Sequence, residues 1–256
     1  MTEFAFNDDS RVVLRVTGAD ARDLLQDLVT NDLDRLEEGK LIYAALLTPQ
    51  GKYLFDFFIT LDGETLLVEV VRDRAPALAQ RLMMYRLRRK MEVEATDLTV
   101  SLHWGEGAPP TGAMADPRAG ALGWRLYGAP VDTTADRAAY DALRIDAMAP
   151  ETGVELIPDD SYILEMGFER LNGVDFRKGC YVGQEVTARM KHKTELRKGL
   201  AVVEVEGEAA PGDVIEAGGK AAGALHTIAG GKALAYLRFD RAQGEMTAGA
   251  ATVRRI

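Results

Sequence analysis

The chain has 256 residues, of which 47% are hydrophobic and 28% charged, with a net charge of −9 and a single cysteine. That apolar content can bury a large core without staples, and one cysteine cannot form an internal disulfide. The acidic balance argues against direct nucleic-acid binding. No apolar run reaches the roughly 18 residues of a membrane span, and the polar start, Met1 to Ser10, lacks a signal-peptide pattern. The expectation is a cytoplasmic protein with no membrane partner.

Val12, Leu14 and Val16 alternate with their neighbours as a first strand. Gly18 breaks it, Asp20 is placed to cap a helix, and Ala21, Leu24, Leu25 and Leu28 follow at helical spacing. The helix should stop near Thr30-Asn31-Asp32, and Leu41 to Leu47 reads as a buried strand. Thr48 to Lys52 is a turn. Tyr53 to Thr60 alternates, placing Asp56 on a face with Leu54 and Phe58, and Asp62-Gly63 leads into a return strand over Thr65 to Val71. Asp73 to Lys90 reads as a helix with Pro76 in its first turn, and Met91 to Ala95 and Leu98 to Trp104 as strands. A loop rich in Gly, Ala and Pro precedes a strand near Leu122 to Tyr127, and Thr134 to Met148 is helical. Pro150 to Pro158 is irregular, and a helical segment following Cys180 ends near Lys191. The last 61 residues hold 10 of the 25 glycines, between short strands, which predicts a small β-barrel. The fold class is α+β.

Candidate chemistry centres on Cys180 in Lys178-Gly179-Cys180-Tyr181-Val182-Gly183-Gln184-Glu185. Most free cysteines are small buried hydrophobes. Here a cation two residues away and a helix beginning just after both favour a thiolate. An iron–sulfur cluster normally takes four thiolates, so one cysteine cannot hold one alone. His103, His192 and His226 form no ligand-spaced pair, and no metal site is expected.

The octapeptide 178–185 resembles the signature of the YgfZ family, folate-binding proteins that assist assembly or repair of iron–sulfur clusters and are related to the glycine cleavage T-protein, an aminomethyltransferase. Leu28 to Leu33, Thr48 to Lys52, Tyr85 to Lys90, and Asp116-Pro117-Arg118 with Leu122 to Arg125 are similar to further family segments, in order. The resemblance implies a three-domain ring around a channel that receives tetrahydrofolate. Residues 1–48 would join 130–195 in a discontinuous first domain, 49–129 would form a ferredoxin-like second domain, and 196–256 the barrel. It implies a monomer whose partners are folate and iron–sulfur client enzymes, including tRNA-modifying ones.

On this resemblance Cys180, Lys178 and Asp56 carry chemistry, while Arg118, Arg125, Gly179, Tyr181, Gln184 and Glu185 hold the folate. Each has a plainer alternative: Arg118 and Arg125 as local ion pairs, Gln184 and Glu185 as helix caps, Asp56 as a structural carboxylate. Arg86, Arg88, Arg89 and Lys90 are either a solvated helix end or an anion site for the glutamate tail of folate. They point in several directions around a helix, so all four cannot face one ligand. The T-protein carries two adjacent aspartates where this chain has Asp56-Phe57, which weakens the rival reading of a tetrahydrofolate-dependent one-carbon transferase. A non-catalytic scaffold is the second rival.

Overall fold

The structure is a computed structural model that describes residues 3–193 and 195–256. In chain order it begins with β1 (Glu3–Asn7), β2 (Arg11–Thr17), α1 (Ala21–Leu28), β3 (Ile42–Leu47), β4 (Tyr53–Asp62), β5 (Thr65–Val71) and α2 (Ala75–Arg86). There follow β6 (Glu92–Ala95), β7 (Thr99–Gly105), β8 (Met114–Ala115), β9 (Trp124–Gly128), α3 (Arg137–Asp146) and α4 (Gln184–Lys193). The chain ends with β10 (Lys198–Glu206), β11 (Val214–Ala217), β12 (Lys220–Ala229), β13 (Lys232–Arg238), β14 (Met246–Ala248) and β15 (Ala251–Arg255).

Two antiparallel sheets and a barrel result. The first sheet has the order β3-β4-β5-β2-β6 and the second β1-β7-β9-β8. Pairing crosses the expected boundaries: β3 pairs β4 across residue 48, and β2 lies between β5 and β6. The hairpin turn at 48–52 is therefore internal to one sheet, because the short loop forces its strands to be neighbours. β1 pairs with β7, far along the chain.

Alternation along each strand divides the core. Ala44, Leu46, Phe57, Ile59, Leu66, Val68 and Val70 face α1 and α2. Tyr43, Ala45, Leu47, Phe58 and Leu67 face the second sheet and the irregular segment 147–183, packing against Leu102, Trp104, Ile163 and Phe168. The register shift at Leu46/Leu47 leaves Leu54 as an extra residue in β4. Leu54 and Phe55 both turn toward the helices, so Leu54 does not share the face of Asp56 and Phe58, as simple alternation predicts.

Two local expectations also change. Asp20 makes no side-chain cap on α1; its carboxylate accepts from the Lys90 amide at 2.6 Å. α2 stops at Arg86, because Leu87 adopts φ 50° and ψ −106° and turns the chain out of the helix. The six C-terminal strands form a closed barrel, β10-β13-β12-β11-β14-β15, around Val203, Ile215, Leu225, Leu237 and Val253. Closure leaves no free edge. The barrel is tied to the body by Arg144 to Thr227 (3.0 Å), Lys232 to Asp146 (2.7 Å) and Tyr236 to Glu165 (2.6 Å).

Candidate functional site

The candidate residues gather in two separate places. The first is a layer of charge between the two sheets. Glu69 interrupts the apolar run of β5 and is fully buried. Its carboxylate pairs with Arg11 from β2, accepts from Arg125 of β9 at 2.6 and 2.8 Å, and takes the Tyr127 hydroxyl at 2.8 Å. Asp116 accepts two bonds from the Arg118 guanidinium, at 3.0 and 2.8 Å, and one from Arg125 at 3.0 Å. The Phe58 ring lies beneath three guanidiniums, with Arg125 at 4.1 Å, Arg118 at 4.8 Å and Arg11 at 5.4 Å from its centre. Burial alone would raise the Glu69 carboxyl, but Arg125 and Arg11 outweigh it and hold it at about 2.

Asp56 belongs to this layer. It accepts from Tyr43 at 3.0 Å, from Tyr53 at 2.8 Å and from Thr152. Its neighbour Phe57 points the other way, into the helix-covered core. The space enclosed by Asp8, Arg11, Asp56, Arg118, Arg125 and Tyr140 is about 10 Å³, enough for one water, whereas ligand pockets run to several hundred Å³. Arg118 and Arg125, expected to hold folate, are instead bound to the carboxylates of Asp116 and Glu69 and to the Tyr140 hydroxyl. A folate does not fit this layer as it stands.

The second place is the edge of the first sheet at β3, where three sequence motifs meet. Thr30 lies on the chain leaving α1. Its hydroxyl accepts from the Ala45 amide and donates to the Gly173 carbonyl at 2.6 Å. Asn31 donates to the Tyr43 and Asn172 carbonyls, both at 2.7 Å. Lys178 is buried, and its ammonium donates to the carbonyls of Gln26 (2.6 Å), Val29 (2.6 Å) and Asn31 (3.0 Å). Those oxygens sit at the C-terminal end of α1, where carbonyls lack helical partners and a cation is favoured. Burial pulls the Lys178 ammonium down to about 8, against the carboxylates of Asp32 and Asp27.

Gly183 has φ +83°, and a Cβ there would lie 2.6 Å from the Thr48 carbonyl oxygen. The turn at 48–52 thus presses directly on the start of α4, where a Cβ on Gly51 would meet Val186 at 2.7 Å. Tyr181 is buried in the inter-sheet core while Val182 packs on the helix side, so the segment straddles the sheet edge. Burial pushes the Tyr181 phenol up to about 12. Gln184 reaches back to the Gly179 carbonyl at 3.3 Å. Between these anchors Gly179 and Cys180 are exposed, as is Glu185.

The structure therefore separates Asp56, Arg118 and Arg125 from Cys180, Lys178, Gly179, Tyr181, Gln184 and Glu185. Cys180 does not line the inter-sheet cavity. Lys178 is not free to act on a substrate, since carbonyls take all three of its donors. Sequence reasoning missed Glu69, Arg11, Tyr43, Tyr53 and Thr152. A lone carboxylate inside Leu66 to Val71 was the available signal for Glu69.

The architecture matches the glycine cleavage system aminomethyltransferase T from Bartonella henselae, with a TM-score of 0.77 over 99% of this chain and 84% of that one, at 15% identity. This bears out the α+β, T-protein-like fold with a C-terminal barrel. Residues 197–256 match the family described as CAF17, C-terminal beta-barrel domain. The mouse mitochondrial iron–sulfur cluster assembly factor IBA57 is 32% identical, covering 94% of this chain and 79% of its own. The human protein of the same name is 30% identical with the same coverage. A homologue from Mycosarcoma maydis is 35% identical over 73% of this chain, which spans 54% of that longer protein. The chain belongs to the IBA57 family of iron–sulfur cluster assembly factors. These relatives are named mitochondrial, which overturns the cytoplasmic expectation. A polar start and a single thiol do not tell one thiol-preserving compartment from another.

Proposed function

We propose that this protein assists assembly or repair of iron–sulfur clusters in client enzymes through the Cys180 thiol, as a transient contact for iron, sulfur or a cluster carried by a partner. The observation that carries this reading is the presentation of Cys180. The thiol is exposed, yet its loop is fastened two residues before by Lys178 and three residues after by the close approach of Gly183 to the 48–52 turn. A rigid, exposed sulfur can meet a partner's metal without reorganising. One thiolate supplies one ligand, so the remaining ligands come from the partner.

The YgfZ resemblance supports tRNA-modifying enzymes among the clients and tetrahydrofolate as the ligand. Folate binding requires the inter-sheet layer to open, since its guanidiniums are paired and its free space is water-sized. The same closure weighs against the one-carbon transferase, whose carboxylate Asp56 is already held by two tyrosines and a threonine.

The test is maturation of a [4Fe–4S] enzyme in a host lacking this protein. Cys180→Ala should fail to restore activity while remaining folded, because the residue is exposed. Restoration equal to wild type would sink the role of Cys180. Calorimetry with tetrahydrofolate separates the finer readings: absence of binding at millimolar ligand leaves a folate-independent scaffold.

A further inference from the structure

The basic run at the end of α2 has a place that its spacing does not suggest. Because Leu87 turns the chain out of the helix at φ 50°, the residues after it do not spread around a cylinder. Arg86, Arg88 and Arg89 instead line one groove of about 870 Å³, whose opposite wall is Asp20, Leu24, Asp27 and Leu28 of the α1 segment. Leu87, which lines this groove, is 86% exposed. A leucine in that backbone region is strained, and burial of its side chain within the chain offsets none of the strain. Among the described residues no ion pair engages Arg88, whereas Arg89 pairs with Asp27 at 2.8 Å.

The groove shares α1 with the Cys180 loop. Lys178 holds the carbonyls of Gln26 and Val29, which bracket the groove-lining residues Asp27 and Leu28. A molecule filling the groove thus lies against the helix end to which the cysteine loop is fastened.

Resting on the proposed role of Cys180, we infer that this groove docks an acidic segment of the iron–sulfur client protein, anchored by a large apolar side chain against Leu87. With Arg89 paired to Asp27, Arg88 and Arg86 are the groove cations left to meet carboxylates on the partner. The exposed Leu87 supplies an anchoring contact of the kind that dominates interfaces. The overall charge of −9 disfavours nucleic acid.

The experiment uses the full chain carrying Leu87→Ser and Arg88→Glu together, both at exposed positions, in the maturation assay, with Cys180→Ala alongside. Maturation should fall at least tenfold in the double variant with its melting temperature unchanged. A photoreactive residue in place of Leu87 should cross-link to an iron–sulfur protein through an acidic segment, identified by mass spectrometry. If Cys180→Ala abolishes maturation and the double variant supports it fully, the groove inference is wrong and the role of Cys180 stands. If Cys180→Ala is fully active, the underlying reading fails instead. Flotation of the wild type with phosphatidylglycerol vesicles, lost in Arg88→Glu, would overturn the protein partner in favour of a membrane surface. Cross-linking to RNA would overturn it equally.

Discussion

At the scale of single residues, Lys178 is the side chain whose meaning changes most. Its proximity to Cys180 suggests activation of the thiol, but its ammonium is turned inward onto three carbonyls. Replacing it with Met should leave those oxygens unsatisfied and cost about 2 kcal/mol, read by urea denaturation. The pH dependence has a definite sign. The ammonium is lowered to about 8 in the folded chain from 10.5, so between those values the unfolded chain holds a proton that the folded one has released. Wild-type stability relative to Lys178→Met should therefore rise from pH 8 to 10.5. The importance of this residue was legible from its place in the octapeptide; its direction was not, because the acceptors lie 147 to 152 residues earlier in the chain.

At the scale of elements, most strands and helices were readable from period and punctuation, while β1 in the polar start was missed because its pairing with β7 lies far along the chain; the other errors fall where tertiary contacts override local signals. The expected helix over Asp73 to Lys90 ends four residues early at Arg86, with Leu87 strained. The alternation of β4 slips at Leu54, where the partner strand skips a residue. The close approach of the 48–52 turn to α4 explains why glycine stands at both positions. Gly183→Ala should cost about 2 kcal/mol, since overpacking against a carbonyl is added to a positive φ. It should also lower cluster maturation although Cys180 is intact, because the loop that presents the thiol loses its seat. Unchanged maturation in a destabilised Gly183→Ala protein would show that rigidity of the loop is not needed.

At the scale of the whole molecule, the two sheets are joined through charge as well as through hydrocarbon. Glu69, Asp116, Arg11, Arg118 and Arg125 come from both sheets and the loop between β8 and β9. Glu69→Gln would leave buried guanidiniums short of a counter-charge and should destabilise the chain by about 3–5 kcal/mol. Glu69 is held at about 2 against an ordinary 4.5, so its contribution is complete above pH 4.5 and is lost as pH falls toward 2. Stability measured across that interval should be less pH-dependent in Glu69→Gln than in the wild type. None of this network was visible as a network in the sequence, because only pairing of the sheets brings its members together.

The fastening of the cysteine loop to α1 also orders events in time. On the ribosome, residues 26 to 31 emerge long before Lys178, and the N-terminal part of the chain must wait with the end of its first helix uncovered. The thiol acquires its fixed setting only once Lys178 has reached the end of α1 and Gly183 the 48–52 turn. A chain that stops short of Gly183 thus carries its thiol, where it has one, without the seat that fixes it.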